Sequence, residues 1–150
     1  MGITKLTSAI QQLHTIGDYV RFASSQFNQA DLFFGHGNDN AWDEALTLIM
    51  FAIHLPISSS HQVLSYQLVE EEKETIIALI EQRINEGLPV AYITNQAYFA
   101  NLLFYVDERV LVPRSPIAEL INNRFAICFD ETKPPIRILD LCTGSGCIAI

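Results

Sequence analysis

The sequence predicts an α+β chain in three parts. A helical bundle is expected over residues 1–87 and a β-hairpin linker over 88–114. Residues 115–150 should open a domain built on a parallel sheet. Three observations carry this. Apolar residues recur at helical spacing through the first part. β-branched and aromatic residues crowd the second. In the third, a short apolar run ends in Asp140 and passes through Cys142-Thr143-Gly144-Ser145-Gly146 into another apolar run. A buried strand enters a glycine-rich turn and then a helix in this way.

The elements follow in order. Leu6, Ile10 and Leu13, then Tyr19, Phe22, Ala23 and Phe27, predict two short helices broken near Gly17-Asp18. Residues 35–40 (GHGNDN) read as loop, and Asp39 or Asn40 can cap a helix over about 41–55, which Pro56 and the serines at 58–60 end. From about 69 to 86, Ile76, Ile77, Leu79, Ile80 and Ile84 line one helical face, with acids in the first turn and Gly87 as the stop. Tyr92, Ile93, Tyr98, Phe99, Phe104, Tyr105, Val106, Val110, Leu111 and Val112 read as β-type, with turns at Ala100-Asn101 and Asp107-Glu108. Pro113 ends the last strand. A helix from near Pro116 should carry Ile117, Leu120, Ile121 and Phe125 inward. Lys133-Pro134-Pro135-Ile136 then leads into the strand ending at Asp140.

Composition excludes several classes. Hydrophobic residues make up 49% of the chain, enough for a core and too many for a disordered segment. No run approaches the roughly 20 apolar residues that span a bilayer, so no membrane is expected. The amino terminus lacks a basic-then-apolar signal, and the expected location is the cytoplasm. Cys128, Cys142 and Cys147 are odd in number and form no C-x-x-C, which predicts buried, reduced thiols. The four histidines have no ligand spacing; His14 and His54 read as helical, His36 and His61 as loop, and no metal is expected. Residues 1–87 hold eleven acids against four bases, a balance of −7, while 88–150 are near neutral at −1. An acidic surface repels phosphate backbones, which argues against nucleic acid as a direct partner and for a basic protein.

The glycine turn admits competing readings. A phosphate-binding loop needs a lysine after its last glycine, and Cys147 stands there instead. Gly144-Ser145-Gly146-Cys147-Ile148-Ala149 fits a dinucleotide fingerprint literally, but the acid precedes the glycines by four residues rather than following by about 20. Asp140-x-Cys142-x-Gly144-x-Gly146 instead resembles motif I of the S-adenosylmethionine-dependent methyltransferases, with Cys142 in place of the first glycine. That cofactor carries an ammonium and a sulfonium and no phosphate, so a carboxylate beside the turn is chemically apt. A plain β-turn-α corner without a ligand is the competing structural reading.

Two further stretches sharpen the resemblance. Residues 89–94 (PVAYIT) and 98–121 (YFANLLFYVDERVLVPRSPIAELI), followed by 138–150 (ILDLCTGSGCIAI), look like the protein-glutamine methyltransferases. That family joins a helical substrate-recognition domain through a β-hairpin to a Rossmann-like methyltransferase domain. Pro113-Arg114-Ser115-Pro116-Ile117-Ala118 departs from the Pro-Arg-Pro-Glu/Asp-Thr-Glu of the release-factor branch and resembles the branch acting on large-subunit ribosomal protein three.

The resemblance implies S-adenosylmethionine as cofactor, with Asp140, Cys142, Thr143, Gly144, Ser145 and Gly146 at its methionine end. Leu111, Pro113 and Arg114 would lie on the adenosine side. It implies a basic ribosomal protein substrate contacted by the helical domain. The family's catalytic Asn-Pro-Pro-Tyr loop has no counterpart in these 150 residues; Pro134-Pro135 lies before the glycine turn and lacks both Asn and Tyr. The chain therefore reads as the amino-terminal part of such an enzyme, cut inside its cofactor site and inactive alone, with residues 1–125 protected and 133–150 labile. A release-factor glutamine methyltransferase, an adenine-specific DNA methyltransferase and a non-catalytic protein-binding helical module remain the alternatives.

Overall fold

The computed structural model describes residues 11–35, 37–59, 61–128 and 137–149. The chain forms two compact units, Met1–Thr94 and Asn95–Ile150. Leu6, Ile10, His36 and the expected linker at Lys133-Pro134-Pro135-Ile136 lie outside the described residues.

In the first unit, α1 (Ile16–Gln29) buries Ile16, Tyr19, Val20, Ala23 and Phe27 along one stripe. The expected break near Gly17-Asp18 falls a few residues earlier, because Asp18 starts the helix rather than interrupting it. Its Oδ2 accepts the Thr15 N–H at 2.9 Å, and the Thr15 hydroxyl accepts the Asp18 N–H at 3.1 Å, a reciprocal cap. His14 also donates its backbone N–H to Asp18 and stands outside the helix. Gly17 is required by close approach: a Cβ there would lie 3.0 Å from the Leu64 carbonyl oxygen.

Helix α2 (Ala41–Ala52) is capped by Asn40, whose side chain accepts the Asp43 N–H at 2.9 Å. It packs against both α1 and α3 (Glu70–Glu86), so residues around its circumference are buried, including Ala45, Leu48, Ile49 and Met50. It stops three residues short of the expected end, and His54 leaves it with φ +57°. Helix α3 begins with Glu70, Glu71 and Glu72, where carboxylates favour the helix dipole, and Gly87 closes it at φ +68°. Ile76, Ile77 and Ile80 are buried as expected, with Leu79 and Ile84 half-covered at the margin.

Tyr92 and Ile93 are not β-type. Residues Val90–Thr94 form a short helix, α4, with Val90, Ala91 and Thr94 buried. Pro89 opens it by accepting the N–H groups of Tyr92 and Ile93. Burial against α2 and α3 outweighs the strand preference of these side chains. The first unit accordingly runs to Thr94 rather than stopping at residue 87.

The second unit holds an antiparallel hairpin, β1 (Gln96–Phe99) with β2 (Leu102–Tyr105), in register Phe99↔Leu102 to Gln96↔Tyr105. The turn at Ala100-Asn101 is where the sequence puts it. Both residues take positive φ, +47° and +67°, the primed turn that matches strand twist. Val106 is buried and held by Asn95, and the chain turns again from Asp107 to Val110. Val110, Leu111 and Val112 were expected as a strand, but no strand pairs with them among the described residues. Helix α5 (Ile117–Asn122) starts after Pro116, with Ile117, Leu120, Ile121 and Phe125 half-buried rather than fully inward.

Residues 137–149 form neither the expected strand nor the expected helix. Ile138, Leu139 and Leu141 are 78%, 79% and 74% exposed. A parallel strand is normally paired and covered on both faces, and no other strand of such a sheet is present among the described residues. The same lack of cover corrects the cysteines: Cys128 and Cys142 are exposed and Cys147 is half-buried. Among the described residues no helix is long and apolar enough to cross a membrane.

Candidate functional site

The glycine turn has a defined backbone. Cys142, Gly144 and Gly146 take φ of +60°, +58° and +79°, alternating with ordinary residues. The Thr143 hydroxyl donates to the Asp140 carbonyl at 3.1 Å, the Gly146 N–H donates to the Thr143 carbonyl at 2.9 Å, and Ala149 N–H donates to Gly146 at 3.0 Å. A Cβ on Gly144 or Gly146 would meet nothing closer than 3.9 Å. The glycines therefore serve the left-handed backbone and leave open space in front of it. Cys142 adopts the same conformation with a side chain, at a strain on the order of 1–2 kcal/mol.

Asp140 stands at the head of this turn. Its Oδ2 is shielded from water and has no hydrogen-bond partner among the described residues. An unmatched carboxylate oxygen is costly unless a cation or donor arrives. Cys142, Thr143 and Gly144 are exposed, and Ser145 and Gly146 are half-buried. Of the residues expected on the adenosine side, Leu111 is 86% exposed, Arg114 is exposed and Pro113 is buried.

A hollow of about 350 Å³ is lined by Ser145 together with Tyr105, Asp107, Arg109 and Val110. One member of the glycine turn thus meets the exit of the hairpin, while Leu111, Pro113 and Arg114 are not among the lining residues. Sequence reasoning missed this group. The signal available is the acid–base pair Asp107-x-Arg109 just after the second strand, where the sequence predicts only a turn at Asp107-Glu108.

That pair is tightly made. Arg109 Nε lies 3.0 Å from both carboxylate oxygens of Asp107, Nη2 lies 2.5 Å from Oδ2, and the Arg109 backbone N–H donates to Oδ1 at 3.0 Å. Hydrogen bonds from the Arg109 side chain, then from its backbone, hold the Asp107 carboxyl down at about 2, and the same contact pushes the guanidinium up. Both groups stay charged across the physiological range.

No protein-family model matches the chain. Curated relatives do. One from Neisseria gonorrhoeae is 50% identical over 142 residues, covering 95% of this chain and 48% of the relative. One from Neisseria meningitidis serogroup B is 49% identical over 142 residues, covering 95% of this chain and 47% of the relative. Both are named ribosomal protein uL3 glutamine methyltransferase. The chain spans about half the length of these relatives. Along 95% of itself, then, this chain is homologous to about half of a ribosomal protein uL3 glutamine methyltransferase.

Proposed function

We propose that the protein, at full length, is an S-adenosylmethionine-dependent methyltransferase acting on the side-chain amide of a glutamine in ribosomal protein uL3. The observation that carries this is the near-50% identity over 95% of the chain to relatives bearing that name. The fold reading attached to it is that residues 115–150 begin a Rossmann-like domain whose remaining strands pair with residues 137–141.

The local chemistry suits the cofactor. Asp140 offers an unmatched carboxylate oxygen, which an ammonium would satisfy. The open face in front of Gly144 and Gly146 allows close approach of a ligand to the backbone. In this reading Asp140, Cys142, Thr143, Gly144, Ser145 and Gly146 hold the methionine end, and Leu111, Pro113 and Arg114 approach the adenosine. Bound there, the cofactor supplies a methyl group activated on a sulfonium. The chain's own contribution is to fix that end of the ligand so that a weakly nucleophilic amide nitrogen meets it in line.

The acidic first unit fits recruitment of a basic ribosomal protein, by steering rather than tight pairing. Such a substrate is met in the cytoplasm. Calorimetry on the full-length protein tests the assignment. Asp140→Ala should weaken S-adenosylmethionine binding at least tenfold, about 1.4 kcal/mol, and wild type should add one methyl to a uL3 glutamine by mass spectrometry. Unchanged affinity would remove Asp140 from the site, and no methyl on uL3 would overturn the function.

A further inference from the structure

We infer that Arg109, held in place by Asp107, is the cation that binds the carboxylate of the cofactor's methionine end. This rests on the function proposed above and adds to it a residue outside the glycine turn. The ligand's amino-acid end carries two opposite charges, and Asp140 can answer only the ammonium. A carboxylate leaving water needs N–H donors or a cation. The expected adenosine-side cation, Arg114, does not line the hollow that reaches the turn, whereas Arg109 does, beside Ser145.

The geometry suits the task. Arg109 contacts Asp107 through Nε and Nη2, an edge of the guanidinium that leaves its Nη1 edge for another acceptor. Its side chain is 83% exposed, so an incoming anion finds it accessible. Asp107 fixes its orientation from two residues away, through the side chain and the backbone N–H together. Ordering is thus largely complete before the ligand arrives, which lowers the entropic cost of binding. Asp107 is a positioning residue and Arg109 a binding residue.

A ligand truncated at the group in question tests this. S-adenosylhomocysteine carries the carboxylate; 5′-methylthioadenosine lacks the whole amino-acid end. Titration calorimetry with full-length wild type and Arg109→Ala should show at least a tenfold loss for S-adenosylhomocysteine and less than a twofold change for methylthioadenosine. Arg109→Lys should recover only part of the loss, because a point charge replaces a fork. Equal losses for both ligands would make Arg109 merely structural, and no loss for either would remove it from the site; both overturn the inference. Wild type that binds neither ligand would instead sink the cofactor reading itself, so the two failures are distinguishable.

Discussion

Arg83→Met is the most informative perturbation of the first unit. Arg83 and Glu44 are 2% and 5% exposed, and they join α3 to α2 with Nη2 at 3.1 Å from Oε2 and 3.4 Å from Oε1. The same nitrogen donates to the Phe33 carbonyl at 3.1 Å, anchoring the segment after α1. Burial pushes the Glu44 carboxyl above its ordinary 4.5, while the Arg83 charge, its hydrogen bond and the Val90 N–H pull the other way. Methionine keeps most of the apolar stem and removes the cation. At an effective dielectric of about 20, a pair at 3.1 Å is attracted by roughly 5 kcal/mol, and breaking a buried pair one-sidedly costs about 3–5 kcal/mol. That is a large share of the roughly 5–15 kcal/mol that holds a domain together.

Without Arg83 the folded-state pKa of Glu44 rises further above 4.5, so the variant loses stability as pH climbs from 4.5 through that value. Its deficit should therefore be larger at pH 7 than at pH 5. Urea unfolding followed by Trp42, the chain's one tryptophan and a member of α2, reads this directly. With a slope of about 1–3 kcal/mol per molar, the midpoint should fall by at least about 1 M at pH 7. Adding Glu44→Gln should recover about half the loss by removing the stranded charge. A deficit that does not change with pH, or a double variant weaker than Arg83→Met, would refute the account.

Two further outcomes are expected. Asp18→Asn should cost roughly 1 kcal/mol by opening the cap on α1. Backbone hydrogen bonds from Thr15 and then His14 hold the Asp18 carboxyl below 3.8, so its contribution is present above pH 3.8 and lost as pH falls through the folded value. Thermal unfolding should show the wild type and variant converging in acid. Hydrogen exchange on the 150-residue chain should leave the amides of α3 protected and those of residues 138–141 fast, since no strand ladder holds them. Protection of 138–141 in a monomer equal to that of α3 would contradict this.

Local chemistry was legible in the sequence wherever it was self-contained. Asp39 or Asn40 as the cap of α2, of which Asn40 makes it, and Gly87 at the end of α3 are legible because a cap needs only a few neighbouring residues. The hairpin turn at Ala100-Asn101 was read from its flanking apolar runs. The resemblance to a methyltransferase family lay in residues 89–94, 98–121 and 138–150 and agrees with the relatives' names. What depended on distant neighbours was not legible. Tyr92 and Ile93 look like strand residues, and only packing on α2 and α3 made them helical. Arg83 reads as one more surface base on an acidic helix until its partner, 39 residues away, is seen beside it. The run ending at Asp140 has the composition of a buried strand, yet composition supplies no hydrogen-bonding neighbours. Arg109 likewise became a candidate only when the second unit set Ser145 against the hairpin's exit. Caps and turns are decided by interactions a few residues apart, while burial, pairing and site assembly belong to contacts that the linear order does not contain.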